Sequence, residues 1–157
     1  MSGQPSRREF LRATAGAAAG AGLLSVLAIE RAGATPASME EAIRKVAGTA
    51  ALRPGRVKLE LPPLVENGNT VPLSIKVESP MTVADHVRAI HVFTEKNPQP
   101  EVVSVHLGPR AGRAAVATRM RLADTQTVVA IAELSDGSFW SDKVNVVVTL
   151  AACLEDA

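Results

Sequence analysis

The chain of 157 residues contains no tyrosine, one tryptophan, three phenylalanines and one cysteine, Cys153. With aromatics at 3%, a core must come from Val, Ile, Leu and Ala, and the 46% hydrophobic content is enough to build one. One cysteine excludes an internal disulfide. Its thiol is a buried spectator, half of an intermolecular bridge, or a free reactive group. The histidines are His86, His91 and His106, and no cysteine or second histidine stands at zinc-ligand spacing from any of them. His86 and His91 are expected on opposite faces of a strand, and all three are read as surface or partly buried side chains. No G-x-S-x-G, G-x-G-x-x-G or phosphate loop occurs. The sequence therefore offers no catalytic residue, no metal ligand set and no cofactor site. Beyond the N-terminus there is no apolar run of membrane-spanning length, no internal repeat and no low-complexity segment. Length and a charged content of 21% fit one globular domain.

What is present begins with an address. Ser6-Arg7-Arg8-Glu9-Phe10-Leu11-Arg12 matches the twin-arginine export pattern S-R-R-x-F-L-[K/R]. An Ala/Gly-rich stretch follows from Ala13 to Ile29, and Ala32-Gly33-Ala34 supplies the small residues that a signal peptidase reads. Residues 1–34 are thus expected to be a signal peptide, with Arg7 and Arg8 as its export signal, cleavage before Thr35 and delivery to the periplasm. Gly16, Gly20 and Gly22 argue against the alternative of a basic amphipathic helix. This route carries folded proteins, so the cargo acquires a cofactor or a partner before export. Losing residues 1–34 removes four arginines and two glutamates and takes the net charge from +1 to about −1. The remaining charge suggests neither nucleic-acid binding nor a polybasic membrane surface.

Along the chain, Ser38-Met39-Glu40-Glu41 has capping-box spacing, and Met39, Ile43, Val46 and Ala47 recur at helical intervals before Gly48. A short amphipathic helix is predicted from Ser38 to Ala47, and a connector from Leu52 to Gly55. The period then changes to two. Val57, Leu59 and Leu61 share one face; Val71, Leu73, Ile75 and Val77 share another, with Pro72 marking a strand start on an edge. Glu66-Asn67-Gly68-Asn69 reads as a tight turn using positive φ. Further strands are predicted from Val87 to Glu95, from Val102 to Leu107, from Val116 to Leu122, from Val128 to Leu134 and over the terminal Val144–Leu150 run. Val128–Leu134, nearly all apolar, is the candidate central strand, and Asp136-Gly137 the best hairpin turn. Strands at this spacing predict an all-β fold, an immunoglobulin-like antiparallel β-sandwich of about seven strands with one short N-terminal helix.

Three polar groupings are candidates for chemistry. Asp85 beside His86 reads as a loop pair, and Ser138 and Ser141 near Trp140 have no His or Asp at motif spacing. Arg110, Arg113, Arg119 and Arg121 form either a solvated face or a dock for an acidic partner or an anion. Cys153 lies past the β-branched run, after Ala151-Ala152 and before Leu154-Glu155-Asp156-Ala157. The arrangement reads as a rigid domain, residues 35–150, followed by a short arm, residues 151–157. The thiolate is the nucleophile, and Glu155 and Asp156 disfavour it. The thiol is thus better suited to modification by other enzymes than to catalysis. Three residues beyond Leu150 give a reach of about 10 Å.

Several segments together resemble the SoxY family of sulfur carriers. They are Val65-Glu66-Asn67-Gly68-Asn69-Thr70-Val71-Pro72, Ser79-Pro80-Met81-Thr82, Ala89-Ile90-His91-Val92-Phe93 through Glu95-Lys96-Asn97-Pro98, Leu122-Ala123-Asp124, Ser135-Asp136-Gly137-Ser138-Phe139-Trp140, and Val148-Thr149-Leu150 before the near-terminal cysteine. The resemblance covers the chain after the signal and includes the signal itself. It implies a carrier that is not an enzyme, an immunoglobulin-like fold and a heterodimer with a SoxZ subunit. It further implies that Cys153 holds thiosulfate-derived sulfur covalently. A haem enzyme would conjugate thiosulfate to the thiol as a cysteine S-thiosulfonate, a dimanganese hydrolase would release sulfate, and a sulfur dehydrogenase would act on the sulfane left behind. The best-known members flank the cysteine with glycine pairs. Alanine lacks glycine's access to positive φ, so the arm of this chain is stiffer. The competing expectation is a secreted β-sandwich binding module whose cysteine forms an intermolecular disulfide.

Overall fold

The computed structural model describes residues 33–151; Arg7, Arg8 and Cys153 lie outside the described residues. The elements are α1 (Pro36–Ala47), β1 (Leu52–Pro54), β2 (Val57–Glu60), β3 (Leu64–Val65), β4 (Val71–Val77), β5 (Val87–Thr94), β6 (Glu101–His106), a 3-10 turn (Pro109–Ala111), β7 (Ala114–Met120), β8 (Gln126–Leu134) and β9 (Phe139–Val148). They form an immunoglobulin-like β-sandwich with one helix. The larger sheet runs β1-β9-β8-β5-β6, with β3 also paired to β9, and the smaller runs β2-β4-β7.

Period-two alternation explains the inner faces. Val57 and Leu59 on β2, and Val71, Leu73, Ile75 and Val77 on β4, are buried against Ile90, Val92, Val128, Ala130, Ala132 and Val146 of the larger sheet. The register Val71↔Met120 through Val77↔Ala114 sets β4 against β7. Pro72 lies beyond the last β2 pairing, Glu60↔Ser74, so the start of β4 has a neighbour on one side only, as its missing N–H requires. The central strand expected at Val128–Leu134 is found as β8, between β9 and β5. It reads as almost continuously apolar because both its faces are covered. Val128, Ala130 and Ala132 face the smaller sheet, while Val129 and Ile131 lie under α1. The Asp136-Gly137 hairpin joins β8 to β9: Gly137 has φ 78°, and the Asp136 carboxylate accepts the Ser138 N–H at 2.8 Å.

The structure departs from the sequence expectations in several places. The helix begins two residues earlier than predicted, and its cap is Thr35, not Ser38. Thr35 Oγ1 accepts the Ser38 N–H at 3.1 Å, and Ser38 Oγ accepts the Thr35 N–H at 2.7 Å. Pro36 drives this choice, since its fixed φ and missing N–H suit the first helical position. The supposed connector at Leu52 is strand β1, parallel to the start of β9 through Leu52↔Phe139 and Arg53↔Trp140. At Gly55, with φ 120°, the chain crosses to the smaller sheet; a Cβ there would meet the Trp140 ring at 3.3 Å. After Pro62-Pro63 it returns as β3, parallel to the end of β9 through Leu64↔Val147 and Val65↔Val148. The described residues therefore contain nine strands, two of them parallel to β9, where about seven antiparallel strands were expected.

Candidate functional site: the pinned end of strand β9

The last strand is held on both sides up to Leu150. On one side, the Val147 N–H donates to the Pro63 carbonyl at 2.9 Å, Thr149 N–H to Val65 at 3.0 Å and Leu150 N–H to Glu66 at 3.1 Å. The Gly68 N–H returns a bond to the Leu150 carbonyl at 2.8 Å, and the Gly68 carbonyl accepts the Leu122 N–H at 2.9 Å. The Thr149 hydroxyl adds a bond to the Glu66 carbonyl at 3.1 Å. On the other side, Thr125 Oγ1 accepts the Val148 N–H at 3.0 Å. Each bond contributes about 1 kcal/mol net. Together they form a clamp whose far anchors, Leu122 and Val65, are buried.

The turn expected at Glu66-Asn67-Gly68-Asn69 is present, but without the positive φ that was expected of it. Asn67 Oδ1 accepts the Asn69 N–H at 2.9 Å, a side-chain-built turn, and Gly68 is not among the positive-φ residues. Gly68 instead supplies both its backbone groups to the clamp. Sequence periodicity missed the 63–68 segment because its partner on β9 lies more than eighty residues away; the Pro62-Pro63 pair marked only the end of β2.

The other candidates are dispersed. Asp85 faces Arg56, at 3.8 Å, while His86 Nδ1 lies 3.1 Å from the Thr82 carbonyl, so the two form no acid/base dyad. Ser138 Oγ accepts the Trp140 indole N–H at 3.1 Å. Arg110 and Arg113 precede β7 while Arg119 and Arg121 lie at and beyond its far end, so the four arginines fall into two groups at opposite ends of an edge strand. All four are exposed, and none forms an ion pair among the described residues. No group of three or more His, Cys, Asp or Glu that could hold a metal is found among the described residues, nor any helix long and apolar enough to cross a membrane.

His91 departs furthest from its expectation, because it is buried. It sits on β5 opposite Ser104 of β6 and stacks on Phe93 at 6.3 Å. Ser104 Oγ gives its proton to the Glu101 carboxylate, so the 2.6 Å contact with His91 Nδ1 requires an Nδ1–H donor. The neutral ring then leaves Nε2 bare, and that atom is buried without a partner. Burial lowers the His91 pKa below 6.5; the Glu101 and Glu133 carboxylates oppose the shift and His106 reinforces it. The unfolded chain therefore binds the proton more readily than the fold. This part of the stability is complete above about pH 6.5 and declines as pH falls toward the depressed value. Wild type is expected to lose more melting temperature between pH 7 and pH 5 than His91→Gln, measured by thermal unfolding; equal losses would refute the assignment.

Comparison with known proteins agrees with this architecture. The family described as sulfur oxidation protein SoxY matches residues 43–153, a range that includes β1–β9. Among solved structures, the sulfur carrier protein SoxY from Chlorobium limicola f thiosulfatophilum superposes with a TM-score of 0.61 at 26% identity, covering 73% of this chain and 98% of that one. The superoxide reductase (neelaredoxin) of Ignicoccus hospitalis has a TM-score of 0.54 at 19% identity, covering 73% and 94%, which shows a shared fold alone. No curated protein sequence matches. A two-sheet sandwich with a clamped final strand thus defines the class as immunoglobulin-like domains. Within that class, the chain belongs to the SoxY family of sulfur oxidation proteins.

Proposed function

We propose that this protein is a covalent sulfur carrier whose attachment point is Cys153. The observation that carries the reading is the clamp. It fixes the chain through Leu150, three residues before the thiol, so a rigid block presents a short arm with a reach of about 10 Å. Two further facts support it: the family match extends to residue 153, and the similar Chlorobium protein is described as a sulfur carrier. Residues 1–34, with Arg7 and Arg8, act as a twin-arginine signal and deliver the folded protein to the periplasm together with a SoxZ subunit. Residues 35–150 form the block and residues 151–157 the arm.

The chemistry balances without a catalyst in this chain. A haem enzyme joins thiosulfate to the thiol: Cys–SH and S₂O₃²⁻ give Cys–S–S–SO₃⁻, one proton and two electrons, the electrons passing to the haem. A dimanganese hydrolase then adds water across the terminal S–S bond, leaving Cys–S–SH and releasing sulfate with a proton. A sulfur dehydrogenase oxidises the sulfane that remains. Glu155 and Asp156 keep the resting thiol weakly nucleophilic, so modification depends on the enzyme's own environment.

The test is the intact mass of the mature protein from cells grown on thiosulfate. Reductant-sensitive sulfur adducts on Cys153, on a chain beginning at Thr35, are the expected result. A uniform disulfide-linked homodimer without adducts would instead identify a binding module.

A further inference from the structure

Export by the twin-arginine route leaves the peptidase with a substrate that has already folded. The state of the Ala34–Thr35 bond in the fold then decides when it can be cut. Both residues are among the described ones, and the fold engages the amide of each. The Thr35 N–H, on the nitrogen of the bond to be cut, donates to Ser38 Oγ at 2.7 Å. The Thr35 carbonyl accepts the Met39 N–H at 2.9 Å and the Ser38 hydroxyl at 3.0 Å. On the other side of the bond, the Ala34 N–H donates to the Asn97 carbonyl at 2.8 Å. Asn97 is a fixed anchor, because it is buried and its side chain is fully engaged. Its amide donates to the Arg121 carbonyl at 2.9 Å, and its Oδ1 accepts the Ala123 N–H and the Gln126 side-chain amide, each at 3.0 Å. Met39, buried against Phe93, ties the first turn of α1 to the core.

We infer that the folded domain keeps its own processing site closed, and that the signal is removed only from molecules in which the first turn of α1 has opened. The inference rests on the signal-peptide reading. A protein that binds a peptide as an extended strand does so through the peptide's backbone groups. Here the N–H groups on both sides of the bond are already taken, and the helix begins at Pro36. Thr35 itself is extended, with φ −123° and ψ 162°, so the backbone at the bond needs no rearrangement. What must give way is the turn that follows and the contact with Asn97. Hydrolysis adds one water across the Ala34–Thr35 peptide, leaving a carboxylate on Ala34 and an ammonium on Thr35. The new ammonium keeps Ser38 Oγ as an acceptor, so the turn recloses on the product. Where such local openings are fast relative to cutting, the rate follows the population of the open form.

The test uses the purified full-length precursor, incubated in detergent with a signal peptidase and followed by intact mass. Ser38→Gly removes the reciprocal cap and weakens the first turn without altering residues 32–35. This variant is expected to be cut about fivefold faster than wild type. Deuterium exchange at the Thr35 amide is expected to rise by the same factor. Ser38→Thr keeps a hydroxyl and is expected to stay near wild type. A synthetic peptide of residues 28–42 is expected to be cut at the same rate with and without Ser38→Gly, since it has no fold to open. Should Ser38→Gly fail to fold, Ala37→Gly loosens the same turn and takes its place. Equal cutting of variant and wild-type precursors overturns the inference. So does faster cutting without faster exchange, or the same acceleration in the peptide, which would assign the effect to direct contact with the peptidase. Failure of the signal-peptide reading is distinct: wild-type precursor and peptide would both remain uncut before Thr35.

Discussion

Cys153→Ala is expected to abolish thiosulfate-dependent sulfate production in the reconstituted system while leaving the fold and partner binding intact. The expectation comes from where the hydrogen-bonded structure ends. Among the described residues, the clamp holds Val147 through Leu150 by backbone and hydroxyl bonds to Pro63, Val65, Glu66, Gly68 and Thr125. Among the described residues, both cores are assembled from residues 39 to 148. Removing one sulfur atom from the arm should therefore leave the unfolding transition in place and remove the only thiol to which sulfur could be joined. Sulfate release and urea unfolding measured on the same preparation separate the two effects. A variant that oxidises thiosulfate normally would rule out the carrier role. One destabilised by several kcal/mol would show the cysteine to be a packing residue, as unpaired cysteines often are.

Phe93→Ala is expected to be the most damaging single truncation for stability, at about 3–5 kcal/mol. Phe93 is fully buried on the outer face of β5, where it packs with Met39, Val129 and Ile131 beneath α1, together with the partly buried Ala42, Ile43 and Val46. Leu52 and Phe139 also pack against this cluster but are only partly buried, so Phe93 supplies its largest fully buried side chain. The helix has little else to hold it, since a helix of 12 residues is marginal on its own. Chemical unfolding gives the loss directly; a change below about 1 kcal/mol would show that α1 contributes little to the fold. The same variant should weaken the pH response of His91, because the ring stacked on Phe93 would gain access to water. The clamp lies on different residues, so sulfur loading by the native state should persist under conditions where the variant remains folded.

Much of this molecule could be read locally. Val71, Leu73, Ile75 and Val77 alternate with Pro72, Ser74 and Lys76, and the structure buries the first set and leaves the second exposed or half-buried. Met39, Ile43 and Val46 recur at helical spacing and face Phe93. Such patterns are legible because each depends on neighbours within one element, and a one-residue slip would turn every apolar side chain to water. The cap of α1 falls at Thr35 and not at Ser38 for an equally local reason, since Pro36 suits the first helical position.

The burial of His91 was less accessible. Its strand pattern gave the face, but not that Ser104 and Glu101 on the next strand would line up beside it. For the arginines, the solvated-face reading agrees with their exposure. Closeness in sequence suggested a patch, and an extended strand separates Arg113 from Arg119 by about 20 Å.

The sequence by itself determined the two-sheet architecture, the helix, the central strand and the family, because these follow from alternation, turn chemistry and recurrent segments along the chain. Only the tertiary structure decided that β1 and β3 run parallel to β9, that Glu66 and Gly68 hold Leu150, and that Leu64 stands beside Val147. The physical reason is separation. Those bonds join residues some eighty positions apart, and a backbone N–H leaves no mark in the sequence of which distant carbonyl will receive it.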